Sequence, residues 1–286
     1  MEDFIFAQGS GGIAVQKYTG HASQLAVPDT WNGQPVTEIG AYAFSHCTTL
    51  VSIALPSHLE AIGDHAFYHC HALTCIRLAK GPRFVGNGAF MNCYALHDFY
   101  IQGMYGIRGL VMDFSNELTF HITAPDGTPF VLLFPEYDYS YEETLPRGIM
   151  SVPYGSGAFY RACVMLEKIQ FADYDREFKR AVRMDAPATA QKIALYRLLY
   201  PYQLRPVFRQ AYMDYLIQNA ADVICAILHA RNIPALTFVL ENDLLPQEVL
   251  QDAIAQAASM DFPEGVSLLM EHRITRFGTQ KRRFTL

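Results

Sequence analysis

Residues 39–56 read IGAYAFSHCTTLVSIALP, residues 62–79 read IGDHAFYHCHALTCIRLA, and residues 85–102 read VGNGAFMNCYALHDFYIQ. Set in register at a spacing of 23 residues, they share five columns. Ile39-Gly40 falls with Ile62-Gly63 and Val85-Gly86, and Ala43-Phe44 falls with Ala66-Phe67 and Ala89-Phe90. Cys47, Cys70 and Cys93 form a third column, Leu50, Leu73 and Leu96 a fourth, and Ile53, Ile76 and Phe99 a fifth. A unit of this length cannot close a core by itself, so copies must stack and bury one continuous core between them.

Leu50, Ile53 and Leu55, repeated as Leu73, Ile76 and Leu78, alternate in their second half as a strand buried on one face does. The Gly-x-x-Ala-Phe block supplies the facing wall. Its small Ala and large Phe fill the space between neighbouring turns, each buried Phe contributing roughly 1.5–3 kcal/mol.

These residues resemble the leucine-rich repeats of the BspA-like bacterial type, whose units read Ile-Gly-x-x-Ala-Phe-x-x-Cys-x-x-Leu-x-x-Ile-x-(Ile/Leu)-Pro. Residues 39–56 follow that pattern almost position by position, and residues 12–35 look like the family's usual first turn. The resemblance covers residues 12–101. The third unit ends in Phe99-Tyr100-Ile101 without a Pro, so the regular stack is expected to finish there.

Beyond it, strand-like runs are expected at residues 109–114, 118–124 and 129–134, the last two joined by the turn Pro125-Asp126-Gly127-Thr128. Residues 155–171 carry Gly155-Ser156-Gly157-Ala158-Phe159, Cys163, Leu166 and Ile169. They read either as a degenerate fourth copy or as a local β-to-helix segment of similar composition. After Tyr174, Ala and Leu at three-to-four-residue spacing predict helices. The first starts near Pro187 and stops at Pro201, and the second covers about 206–218. Two helical hairpins follow at about 221–242 and 246–272. Leu250, Ala253, Ile254, Ala257, Val266 and Leu269 resemble the helix pair of an ankyrin repeat, although that family's Thr-Pro-Leu-His signature is absent. The expected class is α+β, with a solenoid at 1–101, a β extension or cap at 102–174 and an ankyrin-like helical region at 175–286.

A net charge of −6 with 17% charged residues offers no single-sign field that would imply a nucleic-acid or membrane-surface partner. No window approaches 18 apolar residues and the first residues carry no basic leader, so the expected location is cytoplasmic. The family resemblance, whose members are often surface or host-contact proteins, keeps a surface or secreted location as the alternative.

Six cysteines without a C-x-x-C pair argue against zinc. The Cys47, Cys70, Cys93 column reads as core, because a linear buried column cannot furnish a tetrahedron. His46, His65, His69 and His71 fall between the buried columns and are expected to point outward without converging, so no metal or cofactor is expected. Glu136, Asp138, Glu142 and Glu143 sit together on an expected acidic loop, and a hydrolase would need two of them facing across a cleft. Neither a Gly-x-Ser-x-Gly elbow nor a nucleotide-binding glycine motif occurs in a strand-to-helix setting. Lys281-Arg282-Arg283 reads as solvated terminal charge.

Surface therefore carries the expected function. The outward positions of the repeat strands include Ser52, Arg77, Asp98 and Tyr100, with Arg and Tyr of the kind enriched in binding hot spots. The reading is a non-catalytic protein-binding scaffold. Its rivals are a surface binder of host protein or glycan and a hydrolase built on the acidic loop.

Overall fold

The computed structural model describes residues 3–144 and 148–277, and within them all side chains except those of 139–144 and 148–153. The chain divides into two compact units, residues 1–186 and 187–286. Among the described residues no helix is long and apolar enough to cross a membrane.

The first unit opens with the hairpin β1 (Phe4–Gln8) and β2 (Ile13–Tyr18), then β3 (Gln24–Ala26), β4 (Thr30–Trp31) and β5 (Gln34–Ile39). Strands β6 (Ser52–Ala54), β7 (Ala61–Ile62), β8 (Cys75–Leu78), β9 (Phe84–Val85) and β10 (Asp98–Gln102) follow. They alternate between two sheets, as a solenoid requires. One runs β1-β2-β5-β7-β9 with β4 paired to β5, and the other begins β3-β6-β8-β10 with all four strands parallel. The first sheet takes the Ile-Gly end of each repeat and the second takes the Leu-x-x-Ile-x-Leu end.

Between the sheets lies the core that the columns predict. Phe44 and Phe67 stack at 5.0 Å, and Phe67 and Phe90 at 5.3 Å, all three buried. Main-chain bonds tie each turn to the next: the Phe44 amide donates to Ala66 O and the Phe67 amide to Ala89 O, both at 2.7 Å. The repeated glycine follows from that closeness, since a Cβ on Gly86 would stand 2.4 Å from the Asp64 amide nitrogen.

The stack does not finish at Ile101. Helix α1 (Ile107–Met112) and strand β11 (Leu118–Thr123) add one more turn, with β11 parallel to β10 in register Tyr100 to His121. The strand expected at 109–114 is thus corrected to a helix: Ile107, Leu110 and Val111 are buried at helical spacing. Phe114, just beyond α1, stacks on Phe90 at 5.3 Å and prolongs the Phe column. Asp113 ends the main-chain ladder, its carboxylate accepting the Phe90 amide at 3.2 Å where earlier turns use a carbonyl.

Strand β12 (Pro129–Phe134) returns antiparallel to β11 through the expected turn, with Gly127 at φ 84°. It closes the second sheet. The hairpin β13 (Asp138–Thr144) and β14 (Gly148–Tyr154) comes next, so the acidic stretch expected as a loop runs into a paired strand. Residues 155–171 then form α2 (Gly157–Ala162) and a Val164–Ile169 bridge, and lead into α3 (Phe171–Arg176) and α4 (Phe178–Met184).

Arg161 of α2 pins this closing layer from inside. It is buried, and its guanidinium donates to the carbonyls of Val111, Pro135, Gly157 and Asn116 at 2.6–3.2 Å. Burial lowers its pKa to about 10. The edge of β12 is sealed by α3, where the Tyr174 hydroxyl donates to Leu133 O at 2.6 Å and accepts the Leu133 amide at 3.0 Å.

The second unit holds α5 (Pro187–Leu199), α6 (Pro206–Gln218), α7 (Ala220–His229), α8 (Ile233–Glu241), α9 (Gln247–Ser259) and α10 (Pro263–Phe277). The starts at Pro187 and Pro206 are those the sequence predicts. Helices α7–α8 and α9–α10 are hairpins whose turns hold Arg231 and Asp261 in left-handed backbone, φ 47° and 48°. The Arg231 guanidinium donates to Met260 O at 2.9 Å and Asp261 O at 3.2 Å, joining one hairpin turn to the next.

Candidate interaction surface

On the second sheet, positions alternate between the core and the outer face. Strand register fixes two outward rows: Ser52, Cys75, Asp98 and Thr119 form one, and Ala54, Arg77, Tyr100 and His121 the other. The rows end at β12, whose corresponding Leu133 and Val131 are buried.

Three of the four residues predicted for binding come together here. The Arg77 guanidinium lies 4.2 Å above the Tyr100 ring, a cation–π contact. On its other side the Tyr100 ring stacks on His121 at 4.3 Å and 6°. His121 Nε2 then meets Asp98 Oδ1 at 2.9 Å, and His97 Nδ1 meets Asp98 Oδ2 at 2.9 Å. Arg77 and His97 are exposed, and Asp98, Tyr100 and His121 are half-buried. Ser52 lies two strands from Asp98 in the same row and stands apart from this cluster.

Electrostatics follow the packing. Burial pushes the Asp98 carboxyl up, but the His121 hydrogen bond and the charges of His121 and His97 outweigh it, leaving the pKa below the ordinary carboxylate range. Burial raises the Tyr100 phenol and, against nearby Arg77, the Cys75 thiol. His121 is the member that sequence reasoning missed, because it lies on the turn beyond the expected end of the stack. Its signal was the alternation Thr119-Phe120-His121-Ile122, one strand after Tyr100.

The other candidates fall elsewhere. Glu136 and Asp138 are both exposed, and the side chains of Glu142 and Glu143 lie outside the described residues. Lys281, Arg282 and Arg283 also lie outside them. The buried Cys70 and Cys93 thiols donate to Phe44 O at 3.1 Å and Phe67 O at 3.0 Å, tying turns together within the core. Among the described residues no group of three or more His, Cys, Asp or Glu gathers to hold a metal. The histidines do not all point apart, however: His69 Nδ1 and His71 Nε2 meet at 3.1 Å. His46, His65 and His69 share left-handed backbone, at φ 53–63°.

Residues 23–125 match the BspA type leucine rich repeat region in six copies. Solved structures similar to this chain include a leucine-rich repeat protein from Bacteroides capillosus ATCC 29799, at 24% identity over 35% of this chain and 79% of that one, TM-score 0.32. A leucine rich repeat protein of T. pallidum matches at 24% identity over 38% of this chain and 77% of that one, TM-score 0.26. A leucine rich cell surface protein from Faecalibacterium prausnitzii A2-165 matches at 21% identity over 44% of this chain and 42% of that one, TM-score 0.31. No curated protein matches this chain.

Proposed function

We propose that this chain, whose residues 23–125 are BspA-type leucine-rich repeats, is a non-catalytic scaffold that binds a protein partner on the outer face of its second sheet. The supporting observation is the Arg77–Tyr100–His121 stack with Asp98 clamped beneath it. A long side chain costs rotamer entropy when a partner immobilises it, about 0.5–1.5 kcal/mol each. Here Arg77 and Tyr100 are ordered in advance by their own contacts, so less of that cost remains at association. The stack offers one flat cation and one aromatic edge, the residue types that dominate interface energetics. Thr119, paired with Asp98, flanks it as polar rim.

No catalytic role goes with this reading. Glu136 and Asp138 are exposed, and a glycosidase pair needs two carboxyls facing across the bond to be cut. The helical second unit is read as a further binding surface, its stacked hairpins resembling ankyrin repeats.

The test is affinity capture from a lysate of the source organism with the intact chain, an Arg77→Ala/Tyr100→Ala variant and a control, Lys179→Ala, at an exposed position of α4. One protein retained by the intact chain and the control but lost from the double variant supports the reading. Equal capture by all three sends the binding site elsewhere on the molecule. Retention of an oligosaccharide on a glycan array, lost in the same double variant, would replace the protein partner with a sugar.

A further inference from the structure

The turn wall of the solenoid gathers imidazoles that the strand face does not use. His46, His69 and Asn92 occupy one repeat position, all in left-handed backbone at φ 62–64°. Their side chains therefore leave the wall in one direction, a turn apart, and the His46 and His69 rings stack at 5.0 Å. His71 sits beside His69, with His69 Nδ1 and His71 Nε2 3.1 Å apart.

A single residue holds the far side of both rings. The Asn92 side-chain amide lies 3.1 Å from His69 Nε2, and the Asn92 main-chain carbonyl accepts from His71 Nδ1 at 3.0 Å. Asn92 is itself anchored by the Tyr94 hydroxyl, which donates to Oδ1 at 2.7 Å. Metal-ligating histidines are held this way, each with its second nitrogen tied to a polar group that fixes tautomer and ring plane.

The near-side spacing fits a shared ion. With metal–nitrogen bonds of about 2.0–2.1 Å, adjacent ligands in square-planar or tetrahedral geometry stand roughly 2.9–3.4 Å apart. The observed 3.1 Å lies within that interval. In the metal-free ring of bonds His69 carries its proton on Nδ1 and donates it to His71 Nε2. When an ion takes its place, that proton moves to Nε2 and is accepted by Asn92 Oδ1 after the amide turns over, and the Tyr94 hydroxyl then accepts from Asn92 Nδ2.

We propose that His69 Nδ1 and His71 Nε2 form a two-imidazole site for a divalent transition ion of the zinc class, oriented by Asn92 and open on its outer side to water or to donors of a second molecule. His71 is exposed and His69 half-buried, so the ion reaches them directly. Two protein ligands are fewer than the four of a structural zinc site, so the ion exchanges freely and the fold does not depend on it. The site rests on the turn wall and stands or falls independently of the strand-face reading.

The experiment is calorimetric titration of the full chain with zinc chloride in a weakly chelating buffer near neutral pH. One saturable equivalent is expected. His69→Gln and His71→Gln should each weaken it at least roughly tenfold, Asn92→Ala by a similar factor through lost orientation, while His65→Gln leaves it unchanged. Binding should fall as pH drops through the imidazole range, because both ligands must be deprotonated. As a readout that needs no variant, zinc should shift the imidazole 15N resonances of His69 Nδ1 and His71 Nε2 in the intact chain. Absence of saturable binding, 15N shifts confined to other histidines, or full affinity in both Gln variants would overturn the proposal.

Discussion

Replacing Tyr174 with Phe removes one oxygen and leaves the ring, with its edge contacts to Tyr160 at 4.6 Å and Phe134 at 6.0 Å, in place. That oxygen serves both the amide and the carbonyl of Leu133 on the outer edge of β12, where the sheet has no further strand. Leu133 and Tyr174 are fully buried, so water does not take over. A buried polar group stripped of its partner costs about 1–3 kcal/mol, and two stripped together cost about 2–6 kcal/mol. For a body of this size each kcal/mol lowers Tm by about 2–4 °C, so a fall of roughly 4–24 °C is expected in the melting of the first unit. Differential scanning calorimetry of Tyr174→Phe beside the parent chain measures it, and amide exchange at Leu133 should speed up in parallel. A variant within about 0.5 kcal/mol of the parent would mean that this edge is solvated and that the seal contributes nothing.

Asp113 should give the first unit a pH dependence of recognisable sign. Burial raises its carboxyl pKa in the fold, against the opposing pull of the Phe90 and Gly88 amides and His65. A raised acid contributes stability that is complete below the ordinary carboxylate range and is lost as pH rises through the folded value. Asp113→Asn should therefore flatten the fall of the urea midpoint with rising pH, and parallel curves for variant and parent would refute the assignment. Phe67→Ala, in the middle of the stacked column, should lower unfolding free energy by about 3–5 kcal/mol in urea titrations. A loss below about 1 kcal/mol would show that the neighbouring rings close over the gap.

Much of the fold was legible because stacking writes itself into the sequence as columns. Each column residue meets its own copy one turn along, so Phe44, Phe67 and Phe90, or Cys70 and Cys93, are chosen by the same environment repeated. Legibility ended where the environment changed. In the turn after Ile101 a helix replaces the Gly-x-x-Ala-Phe block, the cysteine is missing, and Phe114 falls 24 residues after Phe90 where earlier copies keep 23. Reading by columns passed over it, and His121 with it. The pairing of His69 with His71 was hidden for another reason. It depends on left-handed backbone at residues other than glycine, which repetition in the turn imposes and residue type does not advertise. Arg77, Asp98 and Tyr100 were found by simple alternation along strands, but the ring stack that orders them needed β11 to be visible.

The opposite ends of the second sheet have unequal capacity for change in length. A further 23-residue unit placed between β6 and β7 would add one strand to each sheet and find the same neighbours above and below. Past β12 no such addition is possible: its direction is reversed, Tyr174 occupies its edge, and Asp113 has already ended the main-chain ladder. Variation in the number of turns among descendants of this architecture is thus confined to the interior, and the closing layer is inherited whole. Duplication would lengthen the outward rows while leaving the Arg77–Tyr100–His121 stack at a fixed distance from the sealed end.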